Sequence, residues 1–167
     1  MKNKSGFTLL EILLYIAITS ILMLAVSFFM AMLLEARIKN QTIAEVEQQG
    51  LQVMQIITQT TRNATIINAP SIGTSSSTLS VNTYITTTTP TVFYLASSTI
   101  RMTESSTAAV DLNNGRVLAS NLLFLNLSRS SSTPGGVRIQ FTLSSVNTSG
   151  RNEYNFTKTF ISSAALR

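Results

Sequence analysis

The sequence predicts an α+β fold, in which one long N-terminal helix packs against a C-terminal head made of antiparallel β-strands. Three observations support this. Glu11 and Glu35 are separated by 23 consecutive residues without a charge. From Ile43 to Ala64, apolar or small residues recur at steps of three and four, which is the period of a helix with one apolar face. After Pro70, short runs rich in β-branched and aromatic residues alternate with turn formers, as in a β-sheet.

The uncharged run is long enough, as a helix, to cross a membrane. At 1.5 Å per residue it spans about 34 Å, against about 30 Å for a hydrocarbon core. A buried core helix is one alternative, but such helices seldom lack a polar face over this length. A cleaved secretory signal is another, although its apolar core covers only about 7 to 15 residues. Lys2 and Lys4 on one side nearly balance Arg37 and Lys39 on the other, so charge alone does not decide the orientation.

The helical pattern continues beyond the membrane-spanning run as an amphipathic stretch. Gly50 falls inside this stretch, where it costs about 1 kcal/mol relative to alanine, and this indicates a bend or close packing. We expect one helix from residue 7 to about 66, closed by Asn63 and Pro70, with the sheet folded onto its apolar stripe. The stripe consists of Ile43, Val46, Gly50, Met54, Ile57, Thr61 and Ala64.

The remainder of the chain is predicted to form a meander of antiparallel strands. The turn residues lie at 113–115, 134–136 and 148–152. The hydroxyl-rich stretches 73–80, 86–91 and 128–136 are predicted to be solvated loops, with an adhesive or glycan-bearing role as the alternative. The predicted strands are 79–85, 91–95, 99–103, 116–120, 122–127, 137–144 and 154–161.

The composition excludes several classes of function. The chain has no cysteine and no histidine, so disulfides, thiolate nucleophiles, zinc–thiolate sites and histidine bases are all excluded. The carboxylates after the helix are Glu104, Asp111 and Glu153, with no recognisable catalytic spacing. We therefore expect no enzyme activity and no cofactor or metal. The net charge of +5 accompanies only 11% charged residues, which is too little to indicate a nucleic-acid-binding protein.

The first eleven residues contain a specific motif, KSGFTLLE at residues 4–11. A short basic leader ends at Gly6, Phe7 opens the apolar segment, and Glu11 is the fifth residue counted from Phe7. This closely resembles the class III leader of the type IV pilin superfamily, which includes pilins, type II secretion pseudopilins and competence pseudopilins. The resemblance implies that a membrane-embedded prepilin peptidase cuts the Gly6–Phe7 bond on the cytoplasmic side and methylates the new Phe7 amine.

The same resemblance implies a location, partners and a division of the chain. The leader is cytoplasmic and the head is exported, first from the inner membrane and then in a filament. The implied partners are the peptidase, other pilin or pseudopilin subunits, an inner-membrane assembly platform and, before assembly, membrane lipid. The implied segments are a leader at 1–6, a transmembrane and assembly half at 7–35, an amphipathic half at 36–66 and a β-rich head at 67–167.

Further stretches are similar to a narrower group within this superfamily. Residues 46–70, 94–103 and 160–167 resemble minor pilins of the W kind and J-type minor pseudopilins. A major pilin more often ends in a disulfide-closed loop, and the absence of cysteine favours a minor subunit.

Glu11 needs a partner, because an ionisable residue inside a membrane is costly when it is alone. Cleavage after Gly6 would create that partner, a positively charged amine at Phe7. Phe7 and Glu11 are four residues apart on one helix face, so Glu11 could pair with its own amine. The resemblance implies instead that Glu11 meets the amine of a neighbouring subunit during assembly.

Two other classes of protein remain as alternatives. One is a signal-anchored extracytoplasmic binding or adhesion protein that is never cleaved and never assembled into a filament. The other is a surface binder of nucleic acid or another anion, which would use Arg101, Arg129, Arg138 and Arg151. These arginines are scattered among the predicted strands, and such scattering is more typical of solvated faces.

Overall fold

A computed structural model describes residues 8–128 and 135–166 and shows the predicted α+β architecture. Within these described residues, one long helix is followed by nine strands in two antiparallel sheets. Short 3-10 helices lie at Thr86–Thr88 and Asn152–Tyr154. The main elements are α1 (Leu9–Arg62), β1 (Ala64–Ala69), β2 (Ser75–Ser76), β3 (Leu79–Thr83), β4 (Thr91–Ala96), β5 (Thr99–Glu104), β6 (Val110–Asp111), β7 (Val117–Asn126), β8 (Gly136–Ser145) and β9 (Thr157–Ala165).

The helix ends earlier than the sequence pattern predicts. It spans 54 residues, about 81 Å at 1.5 Å per residue, and closes at Asn63, whose backbone N–H donates to the Gln59 carbonyl. The prediction of a helix to about residue 66 was wrong, because Ala64–Ala69 forms β1 instead. Three β-branched residues in succession follow Ala64, and β3 supplies a strand partner with which they pair.

The two sheets are both antiparallel. The first contains β1, β3, β4, β5 and β6 in that order, and the second contains β2, β7, β8 and β9. The separate predicted strands 116–120 and 122–127 are one strand, β7, with a register shift between Ser120 and Leu123. Asn121 has a φ of 52° within this irregularity, a conformation that asparagine tolerates better than most residues.

The second half of α1 packs against β8, β9 and the Asn152–Tyr154 helix. The predicted stripe is largely correct, because Val46, Gly50, Ile57 and Thr61 are buried. Ile43 and Met54 are only half-buried, and Val53 is the buried residue that the pattern missed. Together with buried residues of both sheets, the apolar members of this stripe form one core.

Gly50 lies at the closest approach between helix and sheet. A Cβ atom added there would overlap the ring of Phe160 on β9. Phe160 in turn stacks on Phe141 of β8, with ring centroids 5.4 Å apart and an interplanar angle of 22°. The glycine predicted to mark a bend or close packing therefore marks close packing.

Candidate functional site

The N-terminal end of α1 is stabilised by an N-cap residue. Thr8 is the N-cap residue, and its Oγ1 accepts a hydrogen bond from the Glu11 backbone N–H at 3.3 Å. Thr8 and Glu11 have the spacing of a capping box, in which a hydroxyl at the cap and a carboxyl three residues later satisfy free backbone N–H groups. Sequence reasoning treated Glu11 only as an ion-pair partner and missed this role of Thr8.

The Glu11 carboxylate has a second neighbour on the same helix face. The Tyr15 hydroxyl donates to Glu11 Oε1 at 3.4 Å, across one helical turn. The signal for this contact was the four-residue spacing, which the sequence reasoning applied to Phe7 but not to Tyr15. Gly6 and Phe7, the predicted cleavage and methylation residues, lie outside the described residues. The structure therefore groups Thr8, Glu11 and Tyr15, and the predictions for Gly6 and Phe7 stay predictions.

The first half of α1 is not covered by the head. Its large apolar side chains from Leu9 to Leu34 are all exposed, and this part of the helix is long and apolar enough to cross a membrane. Its hydroxyls are satisfied within the helix: Thr19, Ser20 and Ser27 each donate to a carbonyl one turn earlier, at 2.7–2.8 Å. Because these donors are already bonded, the surface is compatible with lipid or with other apolar helices.

The boundary between the two halves is marked by an ionic contact with the head. Arg151 Nη2 lies 3.8 Å from Glu35 Oε1 and 2.5 Å from Glu153 Oε1. Closer to the C-terminal end of the helix, Lys158 Nζ lies 2.5 Å from Glu47 Oε1. The head is therefore fastened to α1 by ion pairs at the edges of the apolar contact around Gly50.

Other parts of the described chain give weaker evidence of a functional site. Within residues 8–128 and 135–166, no group of three or more acidic, cysteine or histidine residues could hold a metal ion. Cavities of about 380 Å³ and 570 Å³ lie beside the second half of α1, the first near Glu45 and the second near Arg62. Neither contains a recognisable catalytic arrangement, so the N-terminal end of α1 is the candidate site.

Comparison with known proteins supports this choice. Residues 1–27 match the family model of the prokaryotic N-terminal methylation motif, the class III prepilin leader. The match includes Gly6, Phe7, Glu11 and Tyr15 and ends within the exposed half of α1. Searches of curated proteins and of solved structures found no significant match to the chain. The chain thus carries a prepilin-type leader, which supports a pilin-like processed protein, and an apolar N-terminal helix that suggests membrane anchoring through the N-terminus.

Proposed function

We propose that this prepilin-type chain matures into a structural subunit of a type IV pilus or of a type II secretion-like pseudopilus. The observation that carries the proposal is the combination of a methylation motif at residues 1–27 with a helix half that its own head leaves uncovered. A helix that is apolar on all sides must be covered by lipid or by other helices. Processing by prepilin peptidase and assembly with other pilin subunits follow from the leader.

The maturation step assigned to this leader is cleavage of the Gly6–Phe7 bond and methylation of the new Phe7 amine. Glycine suits the residue before the cut, because it resists no backbone conformation and fills no narrow subsite. Thr8 follows Phe7 and caps the helix at Leu9. The described helix therefore begins two residues after the N-terminus that this cleavage would create.

In the assembled state, Glu11 pairs with the Phe7 amine of a neighbouring subunit. Glu11 is only half-buried in the isolated chain, so its carboxylate is accessible to a second molecule. Before assembly, the Tyr15 hydroxyl donates a hydrogen bond to the Glu11 carboxylate, which lowers the free-energy cost of holding this carboxylate in lipid. Once the amine arrives, an ion pair in the dry filament core replaces this weaker interaction.

We further propose that the subunit is a minor one, that its leader is cytoplasmic and its head exported, and that the inner-membrane assembly platform is a further partner. The absence of cysteine supports a minor subunit, since a disulfide-closed loop is then impossible. The proposed filament is a pilus, a secretion pseudopilus or a competence pseudopilus, and the subunit contacts membrane lipid before assembly.

A signal-anchored binding or adhesion protein is the second candidate, favoured only by the hydroxyl-rich head. Nucleic-acid binding has less support among the described residues. Arg101 pairs with Asp111 at 2.7 Å, and Arg151 contacts two carboxylates, so both charges are already compensated. Arg138 is exposed on β8, and Arg129 lies outside the described residues.

The experiment compares filament incorporation of Glu11→Ala, Glu11→Gln and a matched control, Glu35→Gln. Both Glu11 variants lose the ion pair and leave the incoming amine unpaired in the filament core, so incorporation should fall at least tenfold. Glu35→Gln removes one charge from the same helix and should assemble normally. The measurement is the amount of subunit in filaments sheared from cells, relative to the amount in membranes. Normal incorporation of both Glu11 variants would contradict the proposal.

A further inference from the structure

A loop of the head reaches the level of the helix at which its apolar surface ends. Glu35 is the first charged residue after the 23-residue uncharged run. Arg151, in the loop between β8 and β9, contacts Glu35 at 3.8 Å. The neighbouring residues 148–150 are exposed. Among the described residues, no uncovered segment of helix therefore separates the apolar run from the head. This loop lies beside the first helical turn beyond the apolar run.

This height corresponds to the headgroup layer of a membrane. The hydrocarbon core is about 30 Å thick and the whole bilayer about 40–45 Å, which leaves about 5–8 Å of polar headgroups on each side. Lys39 is five residues beyond Leu34, or about 7.5 Å along the helix, and Arg37 is about 4.5 Å beyond it. When the apolar run spans the bilayer, both basic residues and the 148–152 loop lie among lipid headgroups.

Arg37 and Lys39, which we call the basic collar, are exposed on two sides of α1. At 100° per residue, Lys39 points to within about 40° of Glu35, toward the head, and Arg37 points to the opposite side. Among residues 8–128 and 135–166, no carboxylate lies within ion-pair distance of either one. The nearby carboxylates Glu35 and Glu153 instead share Arg151. The collar therefore presents two uncompensated cations.

We propose that the basic collar binds the phosphate groups of anionic phospholipids in the leaflet on the head side. The bound lipids hold the head of the membrane-anchored chain down on the bilayer surface, because the second half of α1 packs directly against the head and links it to the collar. The attraction has the sign and range expected of basic residues that directly follow a membrane-spanning helix. It requires only that the chain is anchored in a membrane, so it stands apart from the filament proposal.

The absence of cysteine permits a site-specific test with the full-length chain. A fluorophore is attached through Thr148→Cys, in the exposed loop beside the collar, or through Thr87→Cys as the control. Thr87 is exposed and lies in the 3-10 helix next to the cavity at the far end of α1. The chain is inserted into vesicles of phosphatidylcholine, with or without phosphatidylglycerol, that carry a quencher on a lipid headgroup.

The Thr148→Cys probe should be quenched more strongly when phosphatidylglycerol is present. The ratio of chains whose head lies on the bilayer surface to chains whose head stands away from it should increase about tenfold at low salt. About 1 M salt should remove the increase, because the screening length falls to about 3 Å. Thr87→Cys should show no such increase. Arg37→Gln combined with Lys39→Gln should abolish it, whereas Arg62→Gln combined with Arg138→Gln, which removes the same net charge elsewhere, should retain it.

Two results would overturn the proposal. One is equal quenching of the Thr148→Cys probe in both kinds of vesicle at every salt concentration. The other is an anionic-lipid effect that persists in the Arg37→Gln and Lys39→Gln double variant. A folded head in each variant, shown by an unchanged unfolding temperature, ensures that either result concerns lipid binding and not stability.

Discussion

The two halves of α1 share one continuous backbone but differ in what covers them. From Leu9 to Leu34 the large side chains are apolar and exposed, whereas Val46, Gly50, Val53 and Ile57 are buried beneath the sheet. The second half is stabilised within the chain, by burial against β8 and β9. The first half is not buried by its own head, so its apolar surface must be covered by lipid or by other apolar helices.

This difference means that stability and assembly should respond to different substitutions. Changes in the second half should lower the free energy of unfolding of the head and affect assembly only through the fold. Changes in the first half should leave the head intact. Four sets of substitutions probe this contrast, each measured by thermal or urea unfolding of the full chain in detergent.

The largest effect is expected from truncating a matched pair of phenylalanines. Phe160→Ala should destabilise the head by about 3–5 kcal/mol, since it removes a ring that packs on both Gly50 and Phe141. Phe28→Ala, in the first half, should change the unfolding free energy by less than about 0.5 kcal/mol, because its ring is 71% exposed. Equal losses from the two substitutions would show that the halves do not differ in the way described.

Gly50→Ala should cost about 2 kcal/mol, because its Cβ would overlap the Phe160 ring and force the ring to move. The sign should reverse when that ring is absent. In a Phe160→Ala background, Gly50→Ala should be neutral or stabilising by up to about 1 kcal/mol, as expected for a helix position freed of the clash. A persistent loss in that background would place the strain elsewhere.

Asn113→Ala should cost about 2 kcal/mol, because the side chain joins β5 to β7 from a buried position. Its Oδ1 accepts from the Ile100 N–H at 2.8 Å, and its Nδ2 donates to the Val117 carbonyl at 2.7 Å. Removing it leaves two buried backbone groups without partners. Asn114→Ala is the control, with a loss of about 0.5 kcal/mol or less, since water can replace its exposed contacts. Similar losses for both would contradict the buried role.

The smallest effect is expected at the ion pair between Glu47 and Lys158. Both side chains are more than 40% exposed, so a double-mutant cycle of Glu47→Gln and Lys158→Gln should give a coupling of about 0.5 kcal/mol. The coupling should decrease with added salt. A salt-independent coupling above about 2 kcal/mol would mean that this contact, and not the apolar packing, holds the head on the helix.

Much of the fold follows from periodicity, and the departures from it have local causes. The uncharged run and the apolar stripe predicted α1, but a period of 3.6 residues accommodates Val53 and Met54 almost equally. Tertiary packing of the helix on the head leaves Val53 buried and Met54 half-buried, and periodicity alone does not predict this choice. In the same way, Ala64 continues the stripe, yet pairing with β3 turns it into the first residue of a strand.

The candidate site was more predictable than the head, because its signals are local in sequence. Spacing alone relates Thr8, Glu11 and Tyr15, although only Glu11 was singled out. Asn113 and Asn126 could not be predicted in the same way. Asparagine at a turn or at the end of a strand is usually solvated, whereas here Asn126, the last residue of β7, donates to the Pro70 carbonyl, 56 residues away, at 2.8 Å.

The proposed maturation after Gly6 would allow the Phe7 amine to meet Glu11 in a filament. Its most direct test is mass spectrometry of the N-terminus, on protein isolated from cells that produce a prepilin peptidase. The isolated chain should begin at Phe7 and carry one added methyl group, with Gly6→Leu left unprocessed as the control. A chain that still begins at Met1 or Lys2 would contradict it and favour a signal-anchored protein instead.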